Sequence, residues 1–226
     1  MQKIIKNEIL QSVAKALVAA IPFIGGSVNS LIGDYQVGRK LSRLQKFYES
    51  LQTDYTNLKA KVNEDFISSD DFLDIFEETA KKIVNERTEQ KRIAFKNILL
   101  NSILSNEVDY DYTEENLRLL ERLRNEHILF LNLFYDPRKI NIERNGPLNE
   151  GGGFSTTLNQ LMAKLLPEWT EEKILDICKD LENERLLSNF VESYKTMMTD
   201  QGIKHLENKL TIKGMRFYEY ITNPNE

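Results

Sequence analysis

The chain reads as a mainly α-helical protein, and three observations point there. Glycine and proline are scarce, ten and five in 226 residues, too few for a many-turned β architecture. Apolar residues over a long stretch of the first half recur at steps of three and four instead of alternating. Ser, Thr or Asp followed by acids stands at several points where such stretches begin, as helix starts require. The expected architecture is an N-terminal helical bundle built on one long heptad helix (1–107), a connection (108–112), and a domain over 113–222 combining helices with a small β-hairpin.

Composition sets the class. Hydrophobic residues at 41% and charged residues at 29% are globular values. The single cysteine, Cys178, cannot close an internal disulfide, which suits a reducing cytosol. Met1-Gln-Lys-Ile-Ile-Lys lacks the succession of a cleavable signal, so a cytoplasmic location is expected. The net charge of −5 is unevenly spread. Residues 1–60 carry Lys3, Lys6, Lys15, Arg39, Lys40, Arg43, Lys46 and Lys59 against Glu8, Asp34, Glu49 and Asp54, a balance of +4, which leaves −9 for the rest. Any attraction to an anionic partner belongs to the first quarter.

That quarter opens with an uncharged run from Ala16 to Gly33. It approaches the ~20 apolar residues of a membrane span, but Pro22, Gly25, Gly26, Ser27, Asn29 and Ser30 dilute it. Leu10, Val13, Leu17, Ile24, Val28 and Leu31 fall near helical spacing, so a core or interface helix and a membrane-active segment both remain open. On the membrane or partner reading, Lys3, Lys6, Lys15, Arg39, Lys40 and Arg43 meet the anionic surface while Leu17, Val18, Ile21, Phe23, Ile24, Leu31 and Ile32 bury.

The strongest periodicity follows. Val37, Leu41, Leu44, Tyr48, Leu51, Tyr55, Leu58 and Val62 alternate steps of four and three, an a/d seam on a helix from about Tyr35 to Asn63. Two tyrosines in the seam favour packing within the chain over an ideal two-stranded zipper, although a second copy is an alternative partner. Ser69-Asp70-Asp71 starts the expected partner helix, running to about Leu104. Its middle, Asn85 to Arg92, is polar all round and reads either as a break or as a charged contact surface.

In the second half, Thr113 caps a helix that ends at Asp136-Pro137, and Lys139–Glu143 reads as a strand. Helices are expected over Ser155–Leu166 and, after Thr170, to about Glu184. Arg185–Val191 and Leu210–Ile212 read as strands before a helix over Gly214–Ile221. This order resembles the winged-helix family, through "HILFLNLFYDP" (127–137), "DLENERLLSN" (180–189) and "LTIKGMRFYEYI" (210–221). The resemblance implies DNA binding by the helix 171–184, yet that helix has two lysines against six acids, which phosphate contacts disfavour. In layout the whole chain resembles the Abi-alpha type of bacterial phage-resistance (abortive-infection) proteins. Its apolar start is similar to the HeLo and Bell-like helical domains of cell-death effectors.

Catalytic chemistry finds no foothold. His127 and His205 lack metal-ligand spacing, Cys178 sits among apolar residues, and Gly151–Gly153 lacks the Lys-Ser/Thr of a phosphate loop. No catalytic residue, cofactor, metal or small-molecule substrate is expected. The expectation is a non-enzymatic, defence- or toxin-like bacterial effector or interaction protein, with a protein partner or self-association and an anionic membrane at the inner face as contacts. A winged-helix transcriptional regulator and a coiled-coil oligomerisation scaffold are the alternatives.

Overall fold

The structure, a computed structural model, describes residues 38–58, 61–104, 109–144, 155–195, 197–199 and 206–224. The protein is mainly α: the described residues form eleven helices and two three-residue strands. They fall into two compact units. One extends through Arg122 and includes the chain from Tyr220 onward, and the other covers Leu123–Glu219.

In the first unit, α1 (Gly38–Leu58) buries Leu44, Tyr48, Leu51, Tyr55 and Leu58 along one stripe. It is shorter than the expected span, and Val62 lies beyond it, half-buried. Leu41 is within the helix, and Val37 is outside the described residues. After α2 (Glu64–Ile67), α3 (Asp70–Asn85) starts where Ser69 Oγ accepts the Phe72 N–H at 3.2 Å. The expected helix to Leu104 is broken, and α4 (Glu89–Leu104) starts anew. The cause is Glu86, whose carboxylate accepts the Thr88 N–H (2.7 Å) and hydroxyl (2.9 Å) and so draws the backbone out of helical bonding. Burial raises the Glu86 carboxyl pKa, but those bonds and the Lys91 charge outweigh it and hold the group below its ordinary range.

The next helix, α5 (Tyr110–Arg122), begins three residues before the expected Thr113, because Asp109 Oδ1 accepts the Tyr112 N–H at 2.9 Å. It packs on α3 and α4, as α1 does. For that reason it belongs to the first unit, and the division falls at 122/123 where the sequence suggests 108–112. Thr113 is buried instead, its hydroxyl 2.9 Å from Tyr220 Oη. An aromatic cluster of Phe47, Tyr48, Phe72 and Phe76 holds the centre, with neighbouring ring centroids 5.2–6.2 Å apart. Two α4 asparagines fasten the C-terminal chain: Asn97 Nδ2 donates to Ile221 O at 3.0 Å, and Asn101 Nδ2 to Tyr220 O (3.0 Å) and Thr222 O (3.1 Å).

The second unit begins with α6 (Asn125–Tyr135), separated from α5 where a single helix is expected. The strand expected at 139–143 is α7 (Pro137–Glu143): Asp136 caps it at Lys139 N–H, 3.0 Å, and Pro137 is pre-set for its first turn. β1 (Ser155–Thr157) pairs antiparallel with β2 (Met197–Thr199), Thr156 opposite Met198. Between them lie α8 (Leu158–Leu165), α9 (Glu171–Asn183) and α10 (Phe190–Ser193).

The expected strands 185–191 and 210–212 reduce to one bridge, Leu187 to Leu210. Left-handed Arg185 (φ 60°) and Asn189 (φ 51°) end α9 and start α10, so the intervening backbone cannot stay extended. Glu182 caps α10, accepting the Phe190 and Val191 N–H groups at 2.5 and 3.1 Å. Helix α11 (Ile212–Ile221) starts two residues before the expected Gly214, because Thr211 Oγ1 accepts the Gly214 N–H at 2.9 Å. A Cβ on Gly214 would stand 2.2 Å from Leu186 O, so only glycine fits this crossing.

Candidate functional site

Of the expected contact residues, Lys3, Lys6, Lys15, Leu17, Val18, Ile21, Phe23, Ile24, Leu31 and Ile32 lie outside the described residues, as do His205 and Gly151–Gly153. Arg39, Lys40 and Arg43 sit in the first turns of α1, the helix that the uncharged run leads toward. Arg39 is exposed, Lys40 donates to Asn85 Oδ1 at 2.9 Å, and Arg43 donates one N–H to Val84 O at 2.8 Å.

Helical geometry places Arg39, Arg43, Lys46 and Ser50, at steps of four, three and four, on one face of α1. On α4, Glu89, Arg92, Ile93 and Lys96 share a face by the same rule. The two faces line one shallow groove: Arg43, Lys46 and Ser50 on one side, Glu89, Arg92, Ile93 and Lys96 on the other, Phe47 and Ile83 beneath. Its interior volume is about 40 Å³ before it opens to solvent. Lys96 pairs with Asp54 and donates to Ser50 Oγ at 2.8 Å, and Arg92 pairs with Glu89. Lys46 is exposed with no ion pair among the described residues. Four cations thus meet two carboxylates, a surplus of two positive charges beside Ile93, which is 46% exposed.

Of the contact residues expected from the sequence, Arg43 lines this groove and Arg39 and Lys40 do not, while Lys46 and Ser50 on α1 are not among them. Sequence reading also misses Arg92, Ile93 and Lys96, whose spacing is visible but whose partner face is not.

A larger recess of about 370 Å³ lies among Glu78, Lys82, Glu86, Lys91, Phe95 and Glu121. Its charges are matched: Lys82 pairs with Glu78 and Glu121, and buried Lys91 with Glu86 (3.3 Å) and Glu121 O (3.1 Å). The polar stretch 85–92 is therefore consumed largely in holding the α3–α4 turn.

The second unit holds a buried titratable centre at His127. His127 Nδ1 accepts the Arg124 N–H at 2.8 Å, and Nε2 is 3.2 Å from Asp180 Oδ2, which also meets Arg124 at 3.1 Å. Burial holds the imidazole below the usual histidine range, against the pull of half-exposed Asp180. Burial likewise pushes the Cys178 thiol up, which leaves it un-ionised and unreactive. Among the described residues no group of three or more His, Cys, Asp or Glu is placed to hold a metal, and no helix is long and apolar enough to cross a membrane. The chain matches no protein-family model, no curated protein and no solved structure.

Proposed function

We propose that the protein is a non-enzymatic effector or interaction protein whose basic N-terminal quarter engages an anionic membrane surface. The observation that carries this reading is the stripe Arg39, Arg43 and Lys46 on α1, which with Lys3, Lys6 and Lys15 puts basic residues on both sides of the uncharged run. An apolar segment beside clustered cations binds anionic bilayers through burial and charge together. The defence- or toxin-like role and the inner-face location rest on this same contact and on the layout of the chain. Co-flotation and dye release with anionic liposomes test it, comparing the full chain with one lacking residues 1–33. Dye release is expected to be lost and flotation weakened on truncation, and a full chain that neither floats nor releases dye overturns the reading.

The second unit is read as a winged helix, in which the α8–α9 pair precedes a small wing. The β1–β2 pairing and the Leu187–Leu210 bridge support that order. The acids of α9 favour a protein over DNA: Asp180 holds Arg124 and His127, Glu182 caps α10, and Glu171 reaches Lys195 at 3.3 Å. No salt-sensitive complex with a DNA duplex is expected in a mobility-shift titration, and a tight one would restore the regulator alternative.

A further inference from the structure

We infer that the groove between α1 and α4 is a headgroup site for a lipid phosphomonoester. This rests on the membrane reading and names the chemistry that the membrane would present. Two helices bring four cations and two carboxylates to one groove, which leaves its charge unbalanced in the free protein. Such a conflict between local charge and fold is expected where a ligand resolves it.

The ligand follows from charge and shape. The surplus is two positive charges. A phosphomonoester carries about −1.5 to −2 near neutral pH, whereas a phosphodiester or a carboxylate carries a single negative charge. Among the described residues Arg43 uses one N–H, on Val84 O, and Lys46 uses none of its three. Ser50 Oγ accepts from Lys96, so its own hydroxyl hydrogen is oriented to donate elsewhere. Arginine, lysine and hydroxyl donors around a small recess match three phosphate oxygens. Ile93 on the rim, 46% exposed, and Phe47 beneath give the glycerol and upper acyl chain an apolar neighbour. A free phosphate has no use for either, and that decides for a lipid source.

The test uses the full chain. Water-soluble short-chain phosphatidic acid is titrated while amide shifts are followed by NMR, with inorganic phosphate and a glutamate-rich peptide as separate arms. Shifts at Arg43, Lys46, Ser50, Ile93 and Lys96 are expected, with inorganic phosphate much the weaker ligand. Lys46→Glu removes one attraction and adds one repulsion, so a loss of about thirtyfold is expected. Lys46 is exposed and has no ion pair among the described residues, so the variant should melt as the parent does. Ile93→Ser should leave inorganic phosphate binding unchanged and weaken the lipid. Shifts confined to residues 1–37, or a Lys46→Glu chain that binds as the parent does, overturn the site. Inorganic phosphate binding as tightly as the lipid, or the peptide binding more tightly, overturns it in favour of a free-phosphate or acidic-protein site. Flotation of the parent chain on phosphatidylglycerol vesicles is scored separately. Flotation without groove shifts retires the groove alone, and groove shifts without flotation retire the membrane reading alone.

Discussion

The two units are held together by different means. The first packs four helices through long apolar stripes, and its aromatic centre of Phe47, Tyr48, Phe72 and Phe76 is buried side chain throughout. The second is made of short helices whose ends are tied by specific groups: Thr170, Glu182, His127 and Thr211 cap, and Gly214 admits the Leu186 carbonyl. Isolated helices of eight to thirteen residues are marginal, so caps and close backbone approaches carry more of the burden there. The first unit should therefore be most sensitive to lost volume, and the second to altered backbone chemistry.

The largest expected effect breaks the first unit. Phe76 is fully buried and touches three other rings. Phe76→Ala should cost about 3–5 kcal/mol in urea unfolding. A loss below about 1 kcal/mol would mean that the ring cluster is not the centre of that unit.

Next comes a substitution whose sign separates the units. Gly→Ala within a helix ordinarily gains up to about 1 kcal/mol. At Gly214 the new Cβ meets Leu186 O at 2.2 Å and disturbs the Thr211 N–H bond to the same oxygen, 3.0 Å. Gly214→Ala should instead destabilise by about 1–3 kcal/mol in the same assay. A gain would show that the α9 end and α11 are free to separate.

A smaller effect probes a polar tie of the first unit. Asn101 Nδ2 serves two carbonyls at the end of α11. Asn101→Ala should cost about 1–2 kcal/mol and increase amide exchange at Tyr220–Thr222. Unchanged exchange would mean that Tyr220, whose hydroxyl burial pushes up to about 12, anchors that segment by itself.

Smaller still, and opposite in sign, is Arg185→Gly. Arg185 sits at φ 60° just past α9, with Leu186 N–H bonded to Leu181 O at 2.8 Å, the turn in which glycine is preferred. A gain of about 0.5–1 kcal/mol is expected in thermal melts.

What is legible in the sequence cuts across that division. The α1 stripe is readable because 4-3 spacing is a property of one segment, and the α9 start because Thr170 and two glutamates are adjacent. What escaped reading depends on side chains that turn back on the backbone. Glu86 interrupts a stretch that charge pattern alone continues as helix, and Asp136-Pro137 starts a helix where Ile140 and Ile142 suggest a strand. Arg185 and Asn189 adopt left-handed conformations that favour glycine, so no local signal marks the end of extended chain. The groove is half legible for a related reason. Each basic face follows from its own spacing, but Lys46 and Arg92 are 46 residues apart, and only tertiary packing brings them together.

The smallest effect at neutral pH belongs to His127, and it sharpens the comparison because capping and titration meet in one ring. Nδ1 accepts the Arg124 N–H, so that nitrogen is unprotonated, and Nε2–H faces Asp180. A second proton must take the Nδ1 lone pair and displace the cap. The folded pKa therefore lies below the unfolded value of 6.5. Above that value both states are neutral and the residue is silent. As pH falls below 6.5 the unfolded chain takes up the proton first, and stability is lost progressively down to the folded pKa. Melting temperatures measured from pH 7.5 to 5 should fall for the parent, and fall less for His127→Asn, whose side-chain oxygen accepts a bond without titrating. Asp180→Asn removes the opposing attraction, so its stability should fall over a wider pH interval than the parent's. If the parent and His127→Asn fall alike, groups other than His127 govern acid stability and the cap at α6 contributes none of it.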